Sequence, residues 1–208
     1  MPTISDYSVI TNEFIEIIEP FFEEGNVTLN ELAIINGIIK KENPKKIFEI
    51  GTFDGRTTIN MANSSKDNCE IYTLDLPKEK LKNTKYKVSD YDKTLIDKDI
   101  CGERIKKSNL KCRNKINQLY GDSATFDFTS FYNSVELVFI DGAHDYDNAL
   151  TDSKTALKLV GKRNGIILWH DYKKWVPVVN AIESIRQIHP KLDIYRIQGT
   201  NLAYCKVS

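Results

Sequence analysis

The chain has 208 residues and a mass of 23.9 kDa, which is enough for one domain with a full hydrophobic core. Lys plus Arg and Asp plus Glu balance at 29 each, and the pI is near 6.8, which argues against nucleic acid or an anionic membrane as the main partner. The four cysteines lack C-x-x-C spacing, which disfavours a disulfide framework and structural zinc. With no apolar run near the roughly 18 residues of a membrane span, we expect a cytoplasmic protein with reduced thiols and a small-molecule substrate.

Two helices are predicted ahead of the sheet. Apolar residues of segment 10–21 recur on one helical face. Thr28 and Glu31 have capping-box spacing ahead of a second apolar stripe, which ends before Pro44. We expect residues 1–44 to form a helical extension that serves as a lid or as a surface for a second copy of the chain.

From residue 45 to residue 208, short apolar runs alternate with helical stretches, a pattern typical of buried parallel strands and their crossover helices. The predicted strands are Ile47–Ile50, Ile71–Leu76, Ile116–Tyr120, Leu137–Ile140, Ile166–Trp169, Leu192–Ile197 and Leu202–Val207. The predicted helices are Arg56–Ser64, Tyr146–Val160 and a stretch after Trp175 that ends near Ile188. The pattern predicts one α/β domain with a mostly parallel sheet, an antiparallel C-terminal strand and helices on both faces.

The segment from Lys78 to Lys115 interrupts this alternation. It holds thirteen Lys and Arg against six Asp and Glu, which leaves a local charge of +7. It can be a solvated loop-and-helix insertion, or a mobile flap that closes over an anionic substrate such as a phosphorylated or nucleotide-linked sugar.

Glycines and acidic residues follow the first two strands, at the edge where open α/β sheets bind ligands. Glu49-x-Gly51-x-x-x-Gly55 leads into a helix, and its glycines allow a tight turn and the close approach of a ligand. It is not G-x-G-x-x-G, and the Glu49 and Asp54 carboxylates would repel a pyrophosphate but tolerate an ammonium or a sulfonium. Asp75, 24 residues after Gly51, is placed to accept ribose hydroxyl protons. The order predicts an adenosine-type ligand.

The ordered strand-end motifs resemble class I S-adenosylmethionine-dependent methyltransferases, which have a Rossmann-like sheet. The nearest resemblance is to a small bacterial group related to macrocin-type sugar O-methyltransferases and to the cephalosporin hydroxylase-like family. The motifs that carry it are Phe48–Gly55, Asp75, Gly121–Asp127, Val138–His144 and Leu168–Tyr172. The resemblance covers about residues 45–205, but the turn at 161–165 lacks the family's usual Pro-Gly-Gly.

The resemblance implies a role for each motif in holding S-adenosylmethionine. Gly51 and its neighbours would lie against the methionine part, Asp75 would bind the ribose, and Asp122 with Ser123 would bracket the adenine. Asp122 has the alternative role of a cap for the next segment. The full cofactor-binding set is Glu49, Gly51, Thr52, Phe53, Gly55, Asp75, Asp122, Ser123 and Asp141.

Four titratable residues, Asp141, His144, His170 and Asp171, follow two strands that are neighbours in the usual order of such a sheet. Two carboxylates and an imidazole suit a divalent ion, and the resemblance implies Mg²⁺ or Mn²⁺ at Asp141, His170 and Asp171. Alternatively, Asp171 only holds His170 or caps a turn. We expect His144, with Asp141, to be catalytic, because a near-neutral imidazole suits removal of a hydroxyl proton; the alternative is a hydrogen-bonded loop histidine.

These motifs predict an S-adenosylmethionine-dependent O-methyltransferase of a small molecule, which can be anionic: a sugar or a glycosylated or nucleotide-linked intermediate. Phe126, Tyr172 and Trp175 are expected near the adenine or the acceptor. One alternative is a non-catalytic S-adenosylmethionine-binding protein, which would not need four titratable groups beyond the cofactor pocket. A nicotinamide-dependent oxidoreductase is disfavoured by the glycine spacing.

Overall fold

The computed structural model describes residues 1–5, 9–161 and 164–207, so that Lys162 and Arg163 of the turn lacking Pro-Gly-Gly lie outside the described residues. Eight strands form one sheet: β1 (Thr3–Ile4), β2 (Lys46–Ile50), β3 (Glu70–Asp75), β4 (Ile116–Tyr120), β5 (Leu137–Ile140), β6 (Ile166–Trp169), β7 (Ile194–Ile197) and β8 (Ala203–Lys206). Their order is β1-β7-β8-β6-β5-β2-β3-β4. Only β8 runs antiparallel to its neighbours in the described sheet, which confirms the predicted α/β architecture.

Helices cover both faces of the sheet. They are α1 (Leu29–Glu42), α2 (Arg56–Ser64), α3 (Asp90–Asp97), α4 (Glu103–Lys107), α5 (Tyr146–Val160) and α6 (Val176–Ile188). Helices α1 and α2 bury one apolar cluster, which includes Ile35, Ile38 and Met61, against the sheet. Helices α5 and α6 bury a second cluster on the other face, which includes Leu159 and Ile182. Covering both faces is what a buried parallel sheet requires, because every strand is then apolar on both sides.

The first predicted helix is wrong. Segment 10–21 is irregular, and Phe14 and Phe21 are 81% and 77% exposed, so that their spacing does not mark a buried face. Side chains of α2 form hydrogen bonds with backbone groups that would otherwise pair within a helix. Asn60 binds both the N–H and the C=O of Ile18, at 2.9 and 2.7 Å, and the buried Arg56 guanidinium donates to the carbonyls of Glu19 and Pro20.

Residues 19–27, called the strap below, are the segment that Arg56 holds. Its guanidinium donates to the carbonyls of Glu19, Val27 and Pro20 at 2.9, 2.8 and 3.2 Å. The second predicted helix is confirmed as α1, and both hydrogen bonds of its capping box are present between Thr28 and Glu31. The two-residue strand β1 was not predicted, since a strand that short has no periodicity to detect. Whether residues 1–44 act as a lid or bind a second copy stays a prediction.

The basic insertion, residues 78–115, contains α3, α4 and two 3₁₀ turns, Lys78–Asn83 and Lys111–Lys115. It buries little: Asp92 is the buried residue of α3, and Ile105 is the buried residue of α4. Gly102 N–H donates to the carbonyl of Phe53 at 2.6 Å, which places α4 against the loop that follows β2. The insertion therefore covers the carboxyl ends of the strands.

The order in which the chain adds strands reverses between the parallel neighbours β2 and β5, since β3 and β4 extend to one side and β6 to the other. This switch point is where open α/β sheets bind ligands. Within the described residues, no helix has both the length and the apolar character needed to cross a membrane.

Candidate active site

A deep pocket lies at the switch point. The sheet edge supplies one wall, and the strap with the insertion supplies the other. The scaffold wall includes Gly51, Thr52, Phe53, Asp75, Ser123, Asp141, His144, His170 and Asp171. The cover wall includes Phe22, Gly25, Tyr91, Asp92, Leu95 and Ile100. The loops of the parallel strands thus bring most of the predicted site residues together.

Positions 51 and 55 require glycine because neighbouring protein atoms leave no room for a Cβ. The sequence-based expectation was that glycine makes room for a ligand. At Gly51 (φ +98°) a Cβ would lie 2.0 Å from the carbonyl oxygen of Asp141. At Gly55 (φ +88°) it would lie 2.6 Å from Cγ1 of Ile105 in α4. Gly51 still lines the pocket, whereas Gly55 lies behind it under the insertion.

Glu49 also lies behind the pocket wall, which corrects its predicted contact with a cofactor. It is fully buried, and its Oε2 accepts hydrogen bonds from the hydroxyls of Thr58 and Thr73, the latter at 2.6 Å. Thr73 in turn lies 2.6 Å from Thr52, which faces the pocket. Burial raises the pKa of Glu49 to about 8, despite the two hydroxyl donors. Glu49 is therefore neutral at pH 7, and through Thr73 it supports the loop after β2 from the side away from the pocket.

Asp54 is compensated as well. Its Oδ2 accepts from Arg104 Nε at 2.8 Å, and its Oδ1 accepts from Asn26 Nδ2 at 3.0 Å. With Glu49 neutral and Asp54 paired, the structure does not support the argument that these two carboxylates repel a pyrophosphate. The choice between a nucleotide and a sulfonium ligand must come from other observations.

Asp75 stands at the end of β3 and faces the pocket. Its two oxygens accept from the backbone N–H groups of Phe53 and Leu76, at 2.8 and 2.9 Å. Burial raises its pKa to about 6. The Cys101 thiol and the Thr52 N–H also approach this carboxylate, but Asp75 is only partly buried and lines the pocket, so it can meet the paired hydroxyls of a ribose there.

Asp122 is used by the protein itself. Its oxygens accept from the N–H groups of Ala124 and Lys85, at 2.9 and 2.8 Å. Asp122 thus caps the turn at Ala124 and binds the insertion at Lys85, which favours the role of a cap over a direct contact with adenine. Asp122 and Ser123 both line the pocket.

Asp141, His170 and Asp171 converge where β5 and β6 end side by side, as predicted. His170 Nδ1 lies 2.9 Å from Asp141 Oδ1 and 3.2 Å from Asp171 Oδ2. Asp171 has left-handed backbone (φ +61°), a costly conformation for a buried aspartate and one that recurs at functional sites.

This cluster has the features of a cation site. One ligand atom from each of the three side chains lies within 4.8 Å of the others. His170 Nδ1 and Asp171 Oδ1 are buried and, among the described residues, have no hydrogen-bond partner of good geometry. A bound cation would satisfy both atoms. Two carboxylates with an imidazole suit Mn²⁺ or another transition ion better than Mg²⁺, which prefers oxygen ligands.

Glu31 of α1 reaches the other side of His170. His170 Nε2 lies 3.2 Å from Glu31 Oε2, while Glu31 Oε1 accepts from the N–H of Asn201 at 2.7 Å. Burial alone would raise the pKa of Glu31, but the hydrogen bond and charge of His170 lower it to about 2. Carboxylate–histidine pairs of this kind orient histidines that bind metals. The capping box identified Glu31 only as a helix cap.

His144 is bound on both ring nitrogens. Nε2 lies 2.8 Å from Asp171 Oδ2, and Nδ1 makes a short contact with Asp92 Oδ1. Burial alone would lower the pKa of His144, but the hydrogen bonds to Asp171 and Asp92 raise it to about 9. The expected near-neutral imidazole is therefore not found in this state of the protein.

Sequence reasoning missed Asp92, which lies in the insertion. Its only sequence signal is the Ser89-x-x-Asp92 spacing, and the Ser89 hydroxyl does both accept from Asp92 N–H at 3.0 Å and donate to Asp92 Oδ2 at 2.7 Å. Among the predicted aromatic residues, Trp175 packs 4.9 Å from the His144 ring. Tyr172 instead donates to Glu183, and Phe126 packs on Phe128 in the core.

Residues 48–172 match the family model described as "Methyltransferase domain". The chain belongs to this methyltransferase family. The matched range contains the pocket loops, the insertion and the Asp141–His170–Asp171 cluster. A search of curated proteins found no significant match.

Solved structures share the fold at low identity. The Podospora anserina methyltransferase PaMTH1 with S-adenosylhomocysteine is 16% identical, with a TM-score of 0.66 over 89% of this chain and 81% of that chain. The Bacillus cereus O-methyltransferase with S-adenosylhomocysteine is 17% identical, with a TM-score of 0.61 over 88% and 84%. The Streptomyces achromogenes O-methyltransferase TomG with S-adenosylmethionine is 11% identical, with a TM-score of 0.57 over 90% and 83%. The predicted class I methyltransferase fold is confirmed.

Proposed function

We propose that this methyltransferase transfers the methyl group of S-adenosylmethionine to a hydroxyl oxygen of a small molecule, a sugar or a glycosylated or nucleotide-linked intermediate. One observation carries the proposal: Asp75 and the Asp141–His170–Asp171 cluster line the same pocket from different strand ends. The first suits a ribose, and the second suits a hydroxyl that must lose its proton. Two structural neighbours, from Streptomyces achromogenes and Bacillus cereus, are O-methyltransferases, which agrees with this chemistry.

The scaffold wall would hold the cofactor. Asp75 would accept the ribose hydroxyls, the loop at 51–53 would lie against the methionine part, and Ser123 would face the adenine. Methyl transfer from a sulfonium is an in-line displacement, so the main contribution of the protein is to fix the donor and the acceptor in line.

The acceptor hydroxyl would lie at the Asp141–His170–Asp171 cluster. A divalent ion held by these three side chains would lower the pKa of that hydroxyl and orient its oxygen. The chain's own contribution is to fix the carboxylates, to exclude water beneath the cover wall, and to place His144 beside Asp171, where it can accept the hydroxyl proton once it has lost its own Nε2 proton. Four titratable groups in this arrangement exceed what a non-catalytic cofactor-binding protein requires.

A basic residue at the pocket supports an anionic acceptor. Lys174 lines the pocket with its ammonium 5.7 Å from the centroid of the Tyr91 ring and 5.9 Å from that of Trp175. Lys78 of the insertion also lines it but pairs with Asp97 at 3.3 Å, and eight Asp and Glu residues line the same pocket, so the attraction of an anionic acceptor would come from Lys174. If this charge attracts the acceptor, high salt should raise its KM and leave cofactor binding little changed.

The test is methyl transfer from methyl-labelled S-adenosylmethionine to hydroxyl acceptors, including sugar phosphates and nucleotide-linked sugars, with product position assigned by mass spectrometry. We expect an O-methyl product. Chelation followed by addition of Mn²⁺ or Mg²⁺ tests the cation site. Transfer to nitrogen or carbon, or no transfer to any acceptor by protein that binds S-adenosylhomocysteine, would contradict the proposal.

A further inference from the structure

Asp92 contacts His144 twice. Its Oδ2 accepts from the backbone N–H of His144 at 3.1 Å, and its Oδ1 makes the short contact with Nδ1 of the same residue. Asp92 is buried, and the Ser89 hydroxyl fixes its carboxylate. The histidine is therefore bound through both its main chain and its ring by one side chain of the insertion.

Aromatic rings fix the plane of the imidazole. The centroid of the His144 ring lies 4.9 Å from that of Trp175 and 5.7 Å from that of Tyr91, the residue before Asp92. Tyr91 and Trp175 also pack on each other at 5.2 Å. With its plane fixed by the rings and Nδ1 fixed by Asp92, the imidazole directs Nε2 toward Asp171 and the cation cluster.

Each ring nitrogen of His144 faces a carboxylate, Asp92 at Nδ1 and Asp171 at Nε2, so the two side chains together fix the direction of the ring. We propose that Asp92 is a positioning residue for methyl transfer, which holds the His144 ring from the insertion so that Nε2 faces Asp171 and the acceptor hydroxyl. This inference rests on the proposed function. It assigns part of the catalytic machinery to the basic insertion.

The step balances without a further reactant. His144 first gives its Nε2 proton to solvent, and the neutral Nε2 then takes the acceptor's proton as the acceptor O–H bond breaks. The oxygen forms its bond to the methyl carbon, and the breaking sulfur–carbon bond leaves its electron pair on sulfur. The products are the methyl ether, S-adenosylhomocysteine and imidazolium, which then returns its proton to solvent.

The matched pair of variants is Asp92→Asn and Asp90→Asn. Both lie in α3 and remove one carboxylate, but Asp90 is 96% exposed in its side chain and pairs with Lys93. We expect Asp92→Asn to lower kcat about 10²-fold or more, with S-adenosylhomocysteine affinity unchanged, because an amide would not hold the His144 ring in place as the carboxylate does. Asp90→Asn should remain within about twofold of wild type, and Asp92→Glu should recover part of the loss, since it keeps the carboxylate.

A second measurement does not depend on activity or on a variant. Side-chain ¹H–¹⁵N NMR of the S-adenosylhomocysteine complex should show a slowly exchanging Nδ1–H of His144, because Asp92 binds that atom. An Nδ1–H that exchanges as fast as that of a free histidine, or a kcat of Asp92→Asn within threefold of wild type, would overturn the inference. If the wild type binds cofactor but methylates no acceptor, the proposed function fails, and the NMR result alone decides how Asp92 holds His144.

Discussion

The two histidines of the site are held by the same chemistry from opposite walls of the pocket. His170 lies between Asp171 and Glu31 of α1, and His144 lies between Asp171 and Asp92 of α3. In each, a buried carboxylate binds the ring nitrogen that faces away from Asp171. The difference lies in what supports that carboxylate.

Helix α1 buries eight residues, most of them apolar, against the sheet, whereas Asp92 is the buried residue of α3. A segment that buries little apolar surface opens at a lower free-energy cost than the core does. The Glu31–His170 side should therefore stay formed without ligand, while the Asp92–His144 side can form as the cover closes. The comparison predicts a rigid scaffold wall and a cover wall that responds to ligands.

Asp171→Asn removes the carboxylate that both histidines share, and should have the largest effect. It should lower kcat about 10²- to 10⁴-fold and abolish any stimulation by Mn²⁺, with the affinity for S-adenosylhomocysteine near wild type. Asp141→Asn should lose the same metal stimulation, because it removes another ligand of the cluster. The measurement is steady-state kinetics with and without chelator.

Asp127→Asn is the control, because this aspartate is exposed and binds the turn at Thr129. Retention of kcat within a few fold by Asp141→Asn, Asp171→Asn and His144→Ala, assayed with a true acceptor, would show that the cluster is not catalytic.

Glu31→Gln tests the scaffold wall. It removes a buried charge that binds His170, the N–H of Asn201 and the cap of α1, so it should reduce the free energy of unfolding by about 3 kcal/mol. Glu42→Gln at the end of the same helix removes a partly exposed pair with Lys206 and should change it by less than about 1 kcal/mol. Urea denaturation compares them. Equal losses for the two variants would mean that Glu31 gives the scaffold wall no special support.

Glu49→Gln tests the same wall by pH. The raised pKa of about 8, against an ordinary 4.5, means that folding favours the protonated form. Wild-type stability from this group is therefore complete below about pH 4.5 and is lost as the pH rises through 8. The variant should lie within about 1 kcal/mol of wild type near pH 5 and exceed it by about 4 kcal/mol at pH 8 in urea denaturation. A pH-independent difference would show that Glu49 is ionised in the folded protein.

Arg104→Gln tests the cover wall, with the smallest expected effect on stability. Arg104 joins the insertion to Asp54 and to Glu19 of the strap, at 2.8 and 3.1 Å. Its loss should change global stability by about 1 kcal/mol but speed proteolysis within residues 78–115 severalfold. Lys107→Gln, which removes an exposed pair with Glu103 in the same helix, should leave both the stability and the rate of proteolysis unchanged. If cofactor and acceptor analogues protect the wild-type insertion no better than buffer, the cover wall is not a lid.

Most of the fold could be predicted from the sequence, because apolar runs, caps and strand-end motifs are local signals. The capping box of Thr28 and Glu31 located α1, and the residues that follow β5 and β6 located the cluster of Asp141, His170 and Asp171. Segment 10–21 was misread because its spacing is helical, while Arg56 and Asn60, distant in sequence, take its backbone groups.

Part of the site could not be predicted, because it depends on contacts distant in sequence. Asp92 and His144 are 52 residues apart, and Glu31 and His170 are 139 apart, so no motif connects either pair. The charge states of Glu49 and His144 could not be predicted for the same reason, because they depend on burial and on partners distant in sequence. Burial makes Glu49 neutral, and two carboxylates hold His144 protonated, neither of which a residue type alone reveals.

Calorimetric titration of S-adenosylhomocysteine into wild type, Asp75→Ala and Asp92→Asn tests most directly that the scaffold wall binds the cofactor and the cover wall serves the acceptor. The wild type should bind, and should give no response to NAD. Asp75→Ala should weaken binding by about 1 to 3 kcal/mol, and Asp92→Asn should not change it. NAD binding without a response to S-adenosylhomocysteine, or equal affinity of wild type and Asp75→Ala, would contradict the account.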